Sequence, residues 1–389
     1  MPQTEVYQQI YEALAKDLSE KNSKVTLKRL AMMVSGTIKG QSLSPRQMAE
    51  AVEELEVTGA QAESIERRIR RSENAQGIDF SHSYAPFIQA ILRRSQLSEV
   101  ILILDPTTQA DHVVMVSINI WYRGRTIPLV WTIWPGNVPL EGKSFWERIE
   151  DLMAEAQQLL PADVSVTILA DRAFGSPAFT DLAAALGWHW LVRVQSQTIC
   201  RDQCDRERPI GHLVRAPGQR RKMAGQVFKK AGWRSASVVV YWGQRHKSSL
   251  CLVSDLPPRW ELIHLYRRRF PIEGTFRDLK SYGWHWEQGQ VRCLQHLERL
   301  LIVMALASCL ILFLGMLYAD EILAQSIRGK RITRPWFAKC SLFRLGLLFS
   351  KAWFRGRSHP DLSIVFRDWH QPNWSTQLLS LLVHAFIFA

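Results

Sequence analysis

The stretch YRRRFPIEGTFRDLK, residues 266–280, carries the densest chemistry in the chain. It sets the carboxylate of Glu273 among Tyr266, Arg267, Arg268, Arg269, Arg277 and Lys280. An acid in so basic a setting suits a group working close to phosphates, the carboxylate holding a metal ion while the cations hold a polyanion. Tyr266, Arg269, Glu273 and Lys280 are separated by three, four and seven residues. A continuous or mildly kinked helix would show all four on one face, and Pro271 suits a first helical turn. On composition alone the simpler reading is an amphipathic surface helix with solvated charges.

The spacing Tyr266-x2-Arg269-x3-Glu273-x6-Lys280 resembles the Y-R-E-K signature of DDE transposases of the insertion-sequence-four family. With four residue types each at about 5% usage, a chance match somewhere in the chain is a roughly two-in-a-thousand event. Phe270, Ile272 and Arg277 are family-like neighbours, although Phe270 stands where many relatives have tryptophan. The resemblance implies two upstream aspartates ending strands. It also implies that Tyr266, Arg269 and Lys280 contact DNA phosphates near the cut.

The elements that would position such a site follow from pattern. From Ser98 the chain changes character: VILILDPTT is a short buried run ending in Asp105, bounded by Pro106. HVVMVSINIWYRG and RTIPLVWTIWPG follow as two strands joined by a hairpin at Arg123-Gly124. Ser144 to Leu160 reads as a helix, and VSVTILADRAFGS as a buried strand ending in Asp171. A helix after Ser176-Pro177 and a strand over Trp188 to Val194 complete the set. Three strands, helix, strand, helix, strand is the order of a ribonuclease-H-like α/β fold, with acids at the ends of its first and fourth strands.

Asp105, Asp171 and Glu273 are therefore the expected catalytic and metal-binding triad. Asp111, Asp163 and Asp278 are competitors that lack one or other feature. Three acids can hold two Mg²⁺ or Mn²⁺ ions, one activating an attacking hydroxyl and one stabilising a leaving 3′ oxygen. Taken singly, an Asp before Pro or Arg at a strand end is often only a turn or cap residue.

Between Asp171 and Glu273 lies more chain than one strand-to-helix connection needs. Residues 196–260 resemble the family's β-rich insertion, with strands in SASVVVYW and SSLCLVS. Trp233 and Trp242 are its candidates for stacking on an unpaired base, and core packing is the plainer reading of each. Residues 1–95 read as an all-helical domain, with Val6, Ile10, Leu14 and Leu18 at helical spacing. Two short helices flank Gly59, the second ending ESIERRIRRS, and together they resemble a helix-turn-helix. Arg67, Arg68, Arg70 and Arg71 are its expected DNA contacts; an ordinary bundle with a charged face has the same pattern.

The catalytic core thus spans 96–195 and 261–320, and a basic, aromatic helical tail occupies 321–389. The run LLIVMALASCLILFLGML, residues 300–317, is long enough to cross a bilayer. Ser308, Cys309 and Gly315 interrupt it, and a buried core helix fits it better than a membrane span. The 389 residues carry 49 Lys plus Arg against 36 Asp plus Glu, a net charge of +13 that suits a polyanionic partner. Six cysteines without a CxxC pair, and a polar amphipathic N-terminus, point to reduced thiols in a cytoplasmic protein. The resemblance implies DNA as the partner, bound by a homodimer holding both transposon ends.

Overall fold

The computed structural model describes residues 3–73, 77–109, 112–140, 142–289, 291, 293–327, 340–367 and 369. Its first part is helical: α1 (Gln3–Leu18), α2 (Lys24–Gly40), α3 (Pro45–Glu53), α4 (Ala62–Glu73), α5 (Phe80–Ser83) and α6 (Ala85–Arg94). The i, i+4 row Val6, Ile10, Leu14 and Leu18 of α1 is fully buried, as its spacing requires. Ser23 caps α2 through a hydrogen bond from Thr26 N, and Gly59 turns the chain before α4 at φ +60°.

Ten strands form one sheet: β1 (Glu99–Gln109), β2 (Val113–Tyr122), β3 (Arg125–Pro135), β4 (Ser165–Ala170), β5 (His189–Arg193), β6 (Ile199–Arg201), β7 (Glu207–Pro209), β8 (Arg220–Val227), β9 (Arg234–Tyr241) and β10 (Leu250–Ser254). Their spatial order is 3-2-1-4-5-10-9-8-6-7. β1, β4 and β5 are mutually parallel, and all other pairs are antiparallel. The hairpin expected at Arg123-Gly124 is present, both residues having positive φ as a two-residue turn demands. Helices α7 (Phe145–Leu159) and α8 (Pro177–Ala185) make the crossovers, with Ser144 and Glu147 forming a capping box on α7.

One strand differs from expectation. β1 does not stop at Asp105 but runs on through Pro106 to Gln109. Its pairing with β4 ends at Leu104, and beyond that point β2 alone continues the ladder. Pro106 thus sits on a one-sided edge, where a missing N–H costs little.

After the sheet come α9 (Glu261–Arg267), α10 (Pro271–Arg277), a π-helical turn over Asp278–Tyr282, α11 (Leu294–Ile327) and α12 (Leu342–Phe354). The Tyr266–Lys280 stretch is therefore three short pieces and not one continuous helix. Pro271 lacks the N–H that a helix running through from α9 would use, and the chain breaks before it. α11 is long and apolar enough to cross a membrane, and 94% of its apolar window is buried inside the protein. Each polar or small residue that interrupts it has a tertiary use. Ser308 accepts a hydrogen bond from Trp284 Nε1, Cys309 lies against Tyr84, and Gly315 lets α12 cross at backbone contact. Of the expected tail, SIRGKRITRPW lies mostly outside the described residues, as does everything after Trp369.

Candidate active site

The parallel register brings the first two acids together. Leu104 pairs with Ala170, so the next residues, Asp105 and Asp171, leave the β1–β4 ladder side by side. Ala170 also pairs with Val192, which puts Arg193 beside Asp171 at the end of β5. Neighbouring strands lie about 4.8 Å apart, so this register alone assembles a charged row where the parallel pairing of β1, β4 and β5 ends. Asp171 also caps the turn after β4, accepting a hydrogen bond from Arg172 N at 2.5 Å.

α10 packs against β1 and β3, fixed by Thr275, whose hydroxyl bonds both the backbone N–H and the hydroxyl of Thr126. That docking carries Glu273 to the row. Arg269, in the turn before α10, reaches between the acids: Nη1 donates to Asp105 Oδ1 at 2.7 Å and Nη2 to Glu273 Oε1 at 3.2 Å. The Asp105 and Arg269 side chains are almost wholly buried, whereas that of Glu273 is 57% exposed. Burial pushes the Asp105 carboxyl up to about 7. The Arg269 guanidinium opposes that rise, while Asp171 and Glu273 add to it. All three acids in turn raise Arg269, which keeps its charge despite burial. The acids thus share one electrostatic environment around a guanidinium. Among the described residues no three of them close to the distances of a formed metal cage.

The other predicted residues fall into distinct places. Tyr266 is buried beside Arg269, and burial lifts its hydroxyl to about 12, a rise the Arg269 guanidinium opposes. Phe270 is 46% exposed, its ring edge-on to Tyr266. Arg277 is exposed at the end of α10, and Lys280 pairs with Glu287 at 3.5 Å. Trp233 lies under the Arg201 guanidinium, and Trp242 donates to the His246 carbonyl, so both are engaged within the β-rich part. Arg67, Arg68, Arg70 and Arg71 are exposed on α4, with Arg70 tied to Glu66. Of the competitors, Asp278 is held by Arg125 and Asp163 sits in a turn; Asp111 lies outside the described residues.

Three groups escaped the sequence reading. Arg193 ends β5 much as Asp171 follows the end of β4, and the same rule would have found it. With Arg267, Lys247 and Phe270 it lines a pocket of about 190 Å³ next to the acids. Lys28 and Arg29 of α2 join Arg68 and Arg71 around a second cavity of about 520 Å³. Arg125 and Asp278 pair across 153 residues, a distance over which spacing carries no signal.

An all-oxygen set of three acids ringed by arginines is equipped for phosphates and hard cations. No curated protein matches the sequence. Residues 147–310, less than half of the chain, match the family model described as the transposase DDE domain, a span that holds Asp171 and Glu273 and begins beyond Asp105, and this similarity supports a DDE transposase, a class of metal-dependent DNA nuclease and transferase.

Proposed function

We propose that the chain is a cut-and-paste transposase of the insertion-sequence-four type. It would bind terminal inverted repeats, cut the ends, and join the freed 3′-OH to target DNA. The observation that carries this reading is the meeting of Asp105, Asp171 and Glu273 around Arg269, within a chain matched by the transposase domain over two of the three. The order 3-2-1-4-5 with β1, β4 and β5 parallel supports a ribonuclease-H-like core over 96–195 and 261–320. Strands β6–β10 would be the insertion of 196–260, residues 1–95 the end-binding domain, and 321–389 the tail.

The residues fit a divalent cation. Their donors are all carboxylate oxygen, and Asp105, raised chiefly by burial and further by Asp171 and Glu273, would be offset by a cation among them. Mg²⁺ or Mn²⁺, two ions to a site, would activate the attacking hydroxyl and stabilise the leaving 3′ oxygen. The chain's own residues do the rest. Strand register fixes Asp105 and Asp171, and the Thr275–Thr126 bonds fix the helix that carries Glu273; side-chain adjustment away from Arg269 would bring the acids onto a cation. Arg269 neutralises two of them and carries a planar fork able to hold a phosphate when the acids are otherwise engaged. Lys280 and Arg277 extend that positive ground along the same segment. A homodimer would bring the two ends together.

The test is cleavage of a labelled transposon-end duplex with Mg²⁺, comparing wild type with Glu273→Gln. Metal-dependent cuts at the end, lost in the variant while binding persists, are expected. The Arg269 bridge between two acids also suits a second reading, a DNA-binding relative that no longer cuts. Wild type that binds end DNA and never cleaves it with Mg²⁺ or Mn²⁺ would establish that reading instead.

A further inference from the structure

A cleft of about 590 Å³ lies between the glutamate helix and α12, lined by Arg125, Arg277, Tyr282, Arg344, Lys351 and Asp278, with the α12 cap residue Ser341. Its single acid is spent, because Asp278 accepts from Arg125 Nε at 2.9 Å. Arg277, Arg344 and Lys351 are exposed, and among the described residues none of them is in an ion pair. Arg344 and Lys351 therefore face the cleft without a carboxylate of their own, and Arg277 shares the field of Asp278 with Arg125. Tyr282 beside them is 69% exposed, the most exposed of the large apolar side chains among the described residues. Uncompensated cations with an exposed aromatic are the pattern of a nucleic-acid surface.

Arg277 links the cleft to the acids. Arg277 follows Glu273 by four residues, hence on the same face of α10. Arg344 and Lys351 are seven residues apart on α12, or about 10 Å along its axis. Two cations at that separation can reach nearby phosphates of one DNA backbone. α12 is fixed where it must be for this. Gly283 lies so close to the Phe343 ring that a Cβ there would touch it, and Trp284 packs edge-on to the same ring.

We propose that this cleft is a second DNA-backbone site, in which α12 grips the phosphates of the strand running on from Glu273. The inference rests on the transposase reading and gives the C-terminal region a role in it. The alternative occupant is an acidic protein segment, including one from a second copy of the chain.

The test measures binding of a labelled DNA duplex of arbitrary sequence over a range of salt, for wild type, Arg344→Gln/Lys351→Gln and Arg344→Glu/Lys351→Glu. Both cations are exposed, so melting temperatures should stay near wild type and show that both variants are folded. Removing two phosphate contacts should lower the slope of log affinity against log salt by roughly 2, with the Glu pair weaker still. Wild-type slope and affinity in both folded variants would overturn the proposal while leaving the transposase reading intact. Unchanged DNA binding with a changed oligomeric state would overturn it in favour of a protein partner. If wild type itself shows no salt-dependent DNA binding, the transposase reading fails, and this proposal with it.

Discussion

Asp105 holds a proton more tightly in the folded protein than in the unfolded chain, because burial and two neighbouring carboxylates outweigh one arginine. The sign of its contribution follows. Below about pH 4 the group is neutral in both states and costs nothing; the cost grows as pH rises toward about 7 and is then fully present. Asp105→Asn should therefore gain stability relative to wild type between about pH 5 and about pH 8 in cation-free buffer. The introduced asparagine would still accept from Arg269, and its difference from neutral aspartic acid is the pH-independent part of the comparison. Thermal melts at the two pH values, with equal differences at both, would refute the assignment. Conversely, Mg²⁺ or Mn²⁺ needs the ionised form, so its stabilisation of wild type should grow over the same window. Arg269 belongs to the same balance. Its bond to Asp105 is buried and its bond to Glu273 is half solvated, so the first dominates. Arg269→Gln should cost about 3 kcal/mol by denaturant titration at neutral pH, with divalent cation restoring more than it adds to wild type.

At the scale of elements, the α11–α12 crossing holds one wall of the basic cleft. Cβ atoms at Gly315 and Gly346 would run into the Leu342 and Ile311 carbonyls, so each glycine is needed for close approach of backbones and not for its φ. Gly346→Val should cost about 2 kcal/mol or more, read as a fall in melting temperature with loosened α12. Limited proteolysis after Arg344 or Lys351 would report that loosening directly; equal cleavage of variant and wild type would contradict it. The same contact explains a feature of the sequence. Gly315, Ser308 and Cys309 look like interruptions of an apolar run, and each turns out to mark a neighbour: α12, Trp284 and Tyr84.

Taken as a whole molecule, the sheet is continuous from the hairpin strands β2 and β3 to β7. β10 covers the outer edge of β5, and β9 and β8 continue from it. Deleting residues 196–260 should therefore leave β5 as an unpaired, largely buried-type strand edge, an aggregation template. The truncated chain is expected to be insoluble or to elute as large aggregates in size-exclusion chromatography. A soluble, cooperatively melting product would show that the five-stranded part stands alone.

The sequence by itself determined the local facts: the strands with their apolar runs, the hairpin at Arg123-Gly124, the row on α1, and the likeness of Tyr266-x2-Arg269-x3-Glu273-x6-Lys280 to a transposase signature. These are legible because side-chain period and turn chemistry act over a few residues. It also singled out Asp105 and Asp171, though not that β1 runs on past Asp105, since where a strand loses one neighbour is decided by the length of the other. Only the tertiary structure decided that Arg269 bridges Asp105 and Glu273, that Arg193 stands beside Asp171, and that Arg344 and Lys351 share a cleft with Arg277. Those are contacts between residues up to 164 apart and between elements whose separation the chain's own periodicity does not encode. Register and helix docking set them, and both are properties of the packed whole.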